Sequence, residues 1–315
     1  MIDHETETGH EARTGRNRLK FAIIIVAAIM IAEVIGGILS NSLALLGDAG
    51  HMLVDTLALG LSLFAITIAA KPATPSKTFG YHRVEIMAAL VNGVLLAFVA
   101  AYIFYEAYQR FSEPPSVRVP LMLLVAGIGL AANLAGIFLL RRVSHGNLNI
   151  RAAFWHILGD SISSLGVITG GVIIYVTGWS IVDPIIAVLI GCIILWGAIR
   201  LVRESVDILL EAVPKHINIE EVIAILTGMT GVEEVHDVHI WTITSGIYAL
   251  SAHLIIEDQS VSNSAEIVEA VNKEMSQRFN ITHTTLQLEC ERCESCPSGI
   301  ICQVQRTGEQ MVEQQ

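Results

Sequence analysis

Six apolar runs separated by short polar breaks fill the first two thirds of the chain, over about 19–40, 43–70, 84–110, 118–140, 152–177 and 181–203. Each is long enough to cross ~30 Å of hydrocarbon as a helix. Ser40, Asn41 and Ser42 alone separate the first two runs, which predicts a tight helical hairpin. The later breaks carry Pro72 and Pro75, Pro114 and Pro115, Gly146, and Gly178. From about residue 212 the pattern shortens. Ile219 to Met229 reads as a helix, and Val235 to Thr244 and Tyr248 to Glu257 as strands joined at Ser245 and Gly246. Glu266 to Phe279 is amphipathic, and His283 to Glu289 alternates as a third strand. The αββαβ order predicts a small α+β domain with its helices on one face of the sheet. Residues 1–18 form a polar arm, 19–210 a six-helix transmembrane domain, 211–290 the α+β domain, and 291–315 a flexible tail containing cysteines.

Composition fits the membrane reading. Of 315 residues, 53% are hydrophobic and 16% charged, too apolar for an ordinary soluble domain. The formal net charge of -11 comes largely from the last hundred residues. There is no basic patch with interleaved aromatics, which excludes nucleic acid as a partner. There is no nucleotide loop and no nucleophile–base constellation, so the chain does not read as an enzyme. Met1 to Lys20 is polar and mixed in charge, unlike a cleaved secretory leader. Lys and Arg fall mostly on one side of the spans: Arg13, Arg16, Arg18 and Lys20, then Lys71, Lys77 and Arg83, then Arg141, Arg142 and Arg151, then Arg200, Arg203 and Lys215. The other side has Arg110 and Arg118. That bias predicts cytoplasmic N- and C-termini.

Ionisable residues interrupt the apolar runs at Asp48, His51 and Asp55, whose spacings of three and four make one helical stripe. A charged group at the centre of a membrane helix costs roughly 2.5–3.5 kcal/mol even on the lenient insertion scale. A second copy of His-x-x-x-Asp stands at His156 and Asp160. Two imidazoles and two carboxylates make a shell for a tetrahedral divalent metal, with zinc the first candidate. A local i,i+4 hydrogen bond explains one copy but not two, and a proton relay without metal is the sharper rival. Asp48 extends the stripe beside the ligands. Gly47, Ala49, Gly50, Gly159, Ser161, Ser163 and Ser164 suggest that the two helices approach closely.

Four further groups of charged or metal-ligating residues stand out. Arg83 lies between His82 and Glu85 and can pair with Asp207 or Glu211. In the α+β domain His236 and His239 fall on opposite faces by strand parity, with His253, His283 and Glu289 nearby; surface histidines are the alternative. Cys290, Cys293 and Cys296, with Cys302 beyond, read as a thiolate cluster in a reducing compartment, and Cys192 as a small core residue. His4, Glu5, Glu7 and His10 in the arm can hold a metal loosely, or the arm is simply unstructured.

The stretches Ser42 to Asp55, Phe79 to Glu85, His156 to Asp160 and Val235 to Trp241 together resemble the cation diffusion facilitator family. The likeness is to its bacterial zinc-efflux branch, related to vertebrate zinc transporters, over about 16–290. The resemblance implies a homodimer in the bacterial inner membrane. Each subunit would have six spans and a cytoplasmic metallochaperone-like (ferredoxin-like) domain. It implies zinc/proton exchange by alternating access, with Zn2+ as substrate and regulatory ion. Transport ligands would fall on His51, Asp55, His156 and Asp160, and cytoplasmic ligands on His236, His253 and Glu289, with His283 a further candidate. His51 favours zinc, because manganese-selecting members tend to have Asp there. The resemblance also implies an interlocking charge pair at Arg83 and Glu211. Lys77 and Tyr81 stand where some members have histidines. A membrane-anchored metal sensor without net transport is the alternative function, and a channel is a third.

Overall fold

The computed structural model describes residues 27–141 and 148–291, with side chains described outside 139–156. The N-terminal arm with His4 and His10, and the tail residues Cys293, Cys296 and Cys302, lie outside the described residues.

The apolar runs form helices: α1 (Ala27–Ser40), α2 (Leu43–Ala69), α3 (Arg83–Ser112), α4 (Val119–Arg141), α5 (Leu148–Thr177) and α6 (Val182–Leu209). Five of them, α2 to α6, contain stretches long and apolar enough to cross a membrane. The described part of α1 is apolar but shorter than a span. Large apolar side chains point outward: Leu59, Leu63, Phe64 and Trp196 are 61–67% exposed, the reverse of a soluble surface. Cys192 is exposed on α6 and is not a core residue. A helix apolar all round gives no periodic signal for which face is inside. Asn41 takes a left-handed φ of 57°, which turns α1 into α2 within two residues.

The chain divides into two compact units, and the breaks fall inside α2, α3 and α6. One unit runs to Phe64 and includes Ala88–Val202; the other combines Ala65–Met87 with the chain from Arg203 onward. In the first unit, Leu43, Leu45, Leu96, Met122, Val167 and Ile190 belong to one buried core. On α1, Ile29 and Glu33 lie opposite Gly129 of α4, and Gly36 opposite Val125, so these two helices run antiparallel.

A buried polar knot ties several helix ends in this unit. Asp183, at the start of α6, accepts from Ser42 Oγ (2.6 Å), Leu43 N (2.7 Å) and Ala44 N (3.3 Å), which caps α2. Arg110 Nη1 lies 3.7 Å from Asp183 and donates to Asn41 O (2.7 Å), while its Nε donates to Glu106 (3.0 Å). Arg110, expected as a loop charge, is therefore buried and internally paired. Arg118 N donates to Ser40 O at 2.8 Å, joining the start of α4 to the α1–α2 turn.

In the second unit the αββαβ order holds: α7 (Ile219–Thr227), β1 (Glu234–Thr244), β2 (Ile247–Ile255), α8 (Val261–Phe279) and β3 (Ile281–Glu289). β1 pairs antiparallel with β2, and β3 pairs parallel with β2. The parallel pairing needs a crossover, which α8 supplies. That helix starts five residues before the expected Glu266, because Ser260 caps it by accepting from Asn263 N. Leu250, Ala252 and Leu254 of β2 share a core with Val222 and Leu226 of α7 and Val271 and Met275 of α8. Both helices thus cover one face of the sheet. His253 and Ser251, at the alternate positions, belong to the other face.

Candidate metal sites

The first site lies between α2 and α5. His51 Nε2 is 3.4 Å from Asp55 Oδ2 one turn along α2, and 4.0 Å from Asp160 Oδ1 on α5. Ser164 Oγ donates to Asp48 Oδ2 at 3.1 Å. Asp48 thus pairs with Ser164, and His51 faces Asp160, so the ladder is antiparallel. Position 156 is one further turn along α5, and its side chain lies outside the described ones. Asp48 is 2% exposed and Asp160 8%, so two carboxylates are withdrawn from solvent at this depth. An imidazole nitrogen between carboxylates of two helices can share a divalent ion with them. Of the small residues expected to let α2 and α5 approach, Ser164 makes the link, while the glycines face elsewhere. A Cβ at Gly47 would meet Ile103 of α3 and Ile190 of α6, and one at Gly50 would meet Val99 of α3. Gly159 has open space.

The second site is on the open face of the sheet. His236 Nε2 is 3.3 Å from Glu289 Oε2, and His253 Nδ1 is 2.9 Å from Glu289 Oε1. The His236 and His253 rings meet edge-on with centroids 5.1 Å apart. One ligand atom from each of the three residues lies within 4.8 Å of the others. His236 is fully buried, yet neither of its nitrogens makes a hydrogen bond, nor does His253 Nδ1 or Glu289 Oε2. Buried polar atoms are almost always satisfied. Orphaned lone pairs converging at this spacing fit a zinc ion bound ~2.0–2.1 Å from each ligand after slight contraction.

Register explains this grouping. His236 pairs with His253, but His239 pairs with Ser251, so β1 has one extra residue between them. Asp237 is that bulge, with a left-handed φ of 49°. The parity expectation for His239 therefore fails, and it shares the face of His236. Its Nε2 bonds to Asp237 Oδ1 at 2.9 Å, while Asp237 Oδ2 lies 3.6 Å from His253 Nε2. His283 is not brought into the cluster. It pairs with Ala249, six residues before Glu289, or ~20 Å along the strand at ~3.3 Å per residue, and its ring lies 5.4 Å from Phe79.

The remaining candidates are dispersed. Arg83 Nη2 donates to Glu211 Oε1 at 2.6 Å, and Asp207 goes instead to Lys215 at 3.9 Å. Thr244 Oγ1 donates to Glu85 at 2.6 Å. Lys77 stands 4.9 Å over the Tyr81 ring, a cation–π contact where the family resemblance would look for histidines. Cys290 is a free, exposed thiol.

No local sequence pattern joins Asp183 to Arg110, and Glu33 is marked only by its apolar setting. Glu33 is the one acidic residue among 21–40, and a lone carboxylate in an apolar run was itself a usable signal.

The model of the cation efflux transmembrane domain matches residues 19–210, and that of the cation efflux protein cytoplasmic domain matches 214–291. The chain belongs to the cation efflux (cation diffusion facilitator) family. It is 40% identical over 300 residues to the cadmium, cobalt and zinc/H(+)-K(+) antiporter of Bacillus subtilis (strain 168), covering 94% of this chain and 96% of that protein. It is 42% identical over 291 residues to the metal cation efflux system protein CzcD of Cupriavidus metallidurans, covering 92% of each. It is 37% identical over 279 residues to the zinc transporter ZitB of Escherichia coli (strain K12), covering 88% of each. These relatives are membrane cation transporters by name, and this chain is a multi-pass membrane protein.

Proposed function

We propose that this chain exports zinc from the cytoplasm in exchange for protons, by alternating access through a tetrahedral site of His51, Asp55, His156 and Asp160. The observation that carries the reading is the approach of Asp55 and Asp160, from two antiparallel helices, to the single nitrogen His51 Nε2. The relatives named as zinc, cadmium and cobalt transporters support the substrate class. An imidazole binds metal only when neutral. Zinc arriving from the cytoplasm displaces protons from His51 and His156. Protons on the far side compete the metal off. Two conformations with different access then suffice for coupling.

The fold that goes with this function has six spans, counting the run from residue 19, with both termini in the cytoplasm. The chain acts as a homodimer in the bacterial inner membrane. The His236, His253 and Glu289 cluster holds a regulatory zinc ion that tightens the dimer, and the Arg83–Glu211 pair locks its neck. Cys290 with Cys293 and Cys296 offers thiolates for delivery of soft metal. The test is zinc efflux from cells expressing His51→Ala at matched levels. Loss of efflux is expected; near-normal efflux would remove the site assignment.

A further inference from the structure

Glu33 belongs to neither metal site, yet it is 1% exposed in the first unit. Neither of its carboxylate oxygens has a hydrogen-bond partner among the described residues. α4 makes room for it at Gly129, where a Cβ would crowd Glu33 Oε1 and push the carboxylate aside. Its electrostatic neighbours are Asp48 of α2 and Asp160 of α5. Asp48 in turn answers to Asp160 and His51 and is bonded by Ser164. Three acidic side chains from three helices therefore share one field. A carboxylate in such surroundings costs several kcal/mol unless a positive charge visits it.

We propose that Glu33 is a proton-binding site of the transport cycle, separate from the metal ligands and coupled to them through Asp160. The proposal rests on the zinc/proton exchange reading above. A metal bound by Asp160 cancels one of the negative charges that Glu33 feels, and a proton on Glu33 relieves the same crowding. Each cation therefore disfavours the other through a shared neighbour, which is a coupling free energy between two sites. In the step, a proton adds to one Glu33 carboxylate oxygen as the metal leaves and is released to water when metal returns. No bond other than O–H forms or breaks.

The test uses the full chain in liposomes, as wild type, Glu33→Gln and Glu33→Asp. Two fluxes are measured: zinc driven by a pH gradient, and isotopic zinc–zinc exchange without one. Glu33→Gln keeps the shape but cannot take up a proton. It is expected to retain zinc–zinc exchange while gradient-driven flux falls at least tenfold and loses its pH dependence. Glu33→Asp, which keeps a carboxylate, is expected to recover part of the coupling with a displaced pH midpoint. Coupling and pH profile equal to wild type in both variants would overturn the proposal. So would loss of zinc–zinc exchange together with zinc binding in a folded Glu33→Gln, since that is the signature of a metal ligand. Should Glu33→Gln fail to fold, the pH midpoint of Glu33→Asp decides alone, and an unchanged midpoint refutes. Wild-type chain that moves no zinc against protons would mark the failure of the exchange reading itself, and the proposal would fall with it.

Discussion

Asp183→Asn perturbs the buried knot with the least change in shape. In the wild type, the carboxylate accepts three hydrogen bonds at 2.6, 2.7 and 3.3 Å from Ser42, Leu43 and Ala44. It also faces Arg110 Nη1 at 3.7 Å. Asparagine replaces one accepting oxygen with a donor that must point at another donor. Hydrogen bonds to a charged group are each worth roughly 1.5–3 kcal/mol, and breaking a buried pair by removing one charge costs about 3–5 kcal/mol. Asp183 and Arg110 are nine-tenths or more buried, so solvent screening offers little relief. Because the oxygens cap α2 while facing Arg110, these costs overlap and do not sum. A loss of about 3–5 kcal/mol is expected, on the order of 10 °C in midpoint for a domain of this size. Thermal unfolding of the detergent-purified protein measures it. Arg110→Gln is expected to cost a comparable amount, and the double variant less than the sum, since the two residues share partners. An unchanged midpoint in Asp183→Asn, or full additivity in the double variant, would refute the reasoning.

His51→Asp replaces an imidazole with a harder oxygen ligand and is expected to shift transport toward manganese relative to zinc; competition uptake with both metals checks it, and unchanged selectivity counts against His51 as a ligand. Glu289→Gln is expected to weaken zinc binding at the sheet site by tenfold or more, measured by calorimetry on the full protein with the membrane site disabled by Asp160→Ala. In the parent with that site disabled, zinc affinity is expected to fall as the pH is lowered, because imidazole binds metal only in its neutral form. A flat pH profile would exclude histidine ligation. Arg83→Ala is expected to alter the stability of one chain by less than about 1 kcal/mol, because Arg83 and Glu211 are 41% and 57% exposed. Its larger effect is expected on dimer lifetime, read by subunit exchange, and an unaltered lifetime would remove the interlock role.

Much of the membrane site was legible because a charge in an apolar run is a strong anomaly. His51, Asp55 and Asp160 stand out by that rule, and helical spacing alone sets Asp48 on the same stripe. What joins the helices was less legible. Among the small residues that suggest close approach, Gly47 and Gly50 serve α3 and α6, and Ser164 makes the link through its hydroxyl. In the sheet domain, the succession of elements and the β1–β2 hairpin followed from alternation and the turn at Gly246. The grouping of ligands did not, because parity counts residues while the ladder counts pairs. The bulge at Asp237 inserts one residue and moves His239 to the other face, and nothing in local hydrophobicity marks it. His283, a further candidate, is separated from Glu289 by the parallel register of β3. The Asp183–Arg110 knot joins residues 73 positions apart in the sequence. Such a pairing is set by how α3 and α6 pack, which no local pattern reports.

Zinc flux into proteoliposomes, followed with a pH-sensitive dye for the wild type and Asp160→Ala, tests the central claim most directly. The account predicts zinc movement with opposite proton movement in the wild type and loss of both in the variant. Zinc flux that survives in Asp160→Ala would mean that the ion crosses elsewhere, and zinc binding without flux in the wild type would mean that the protein senses metal and does not carry it.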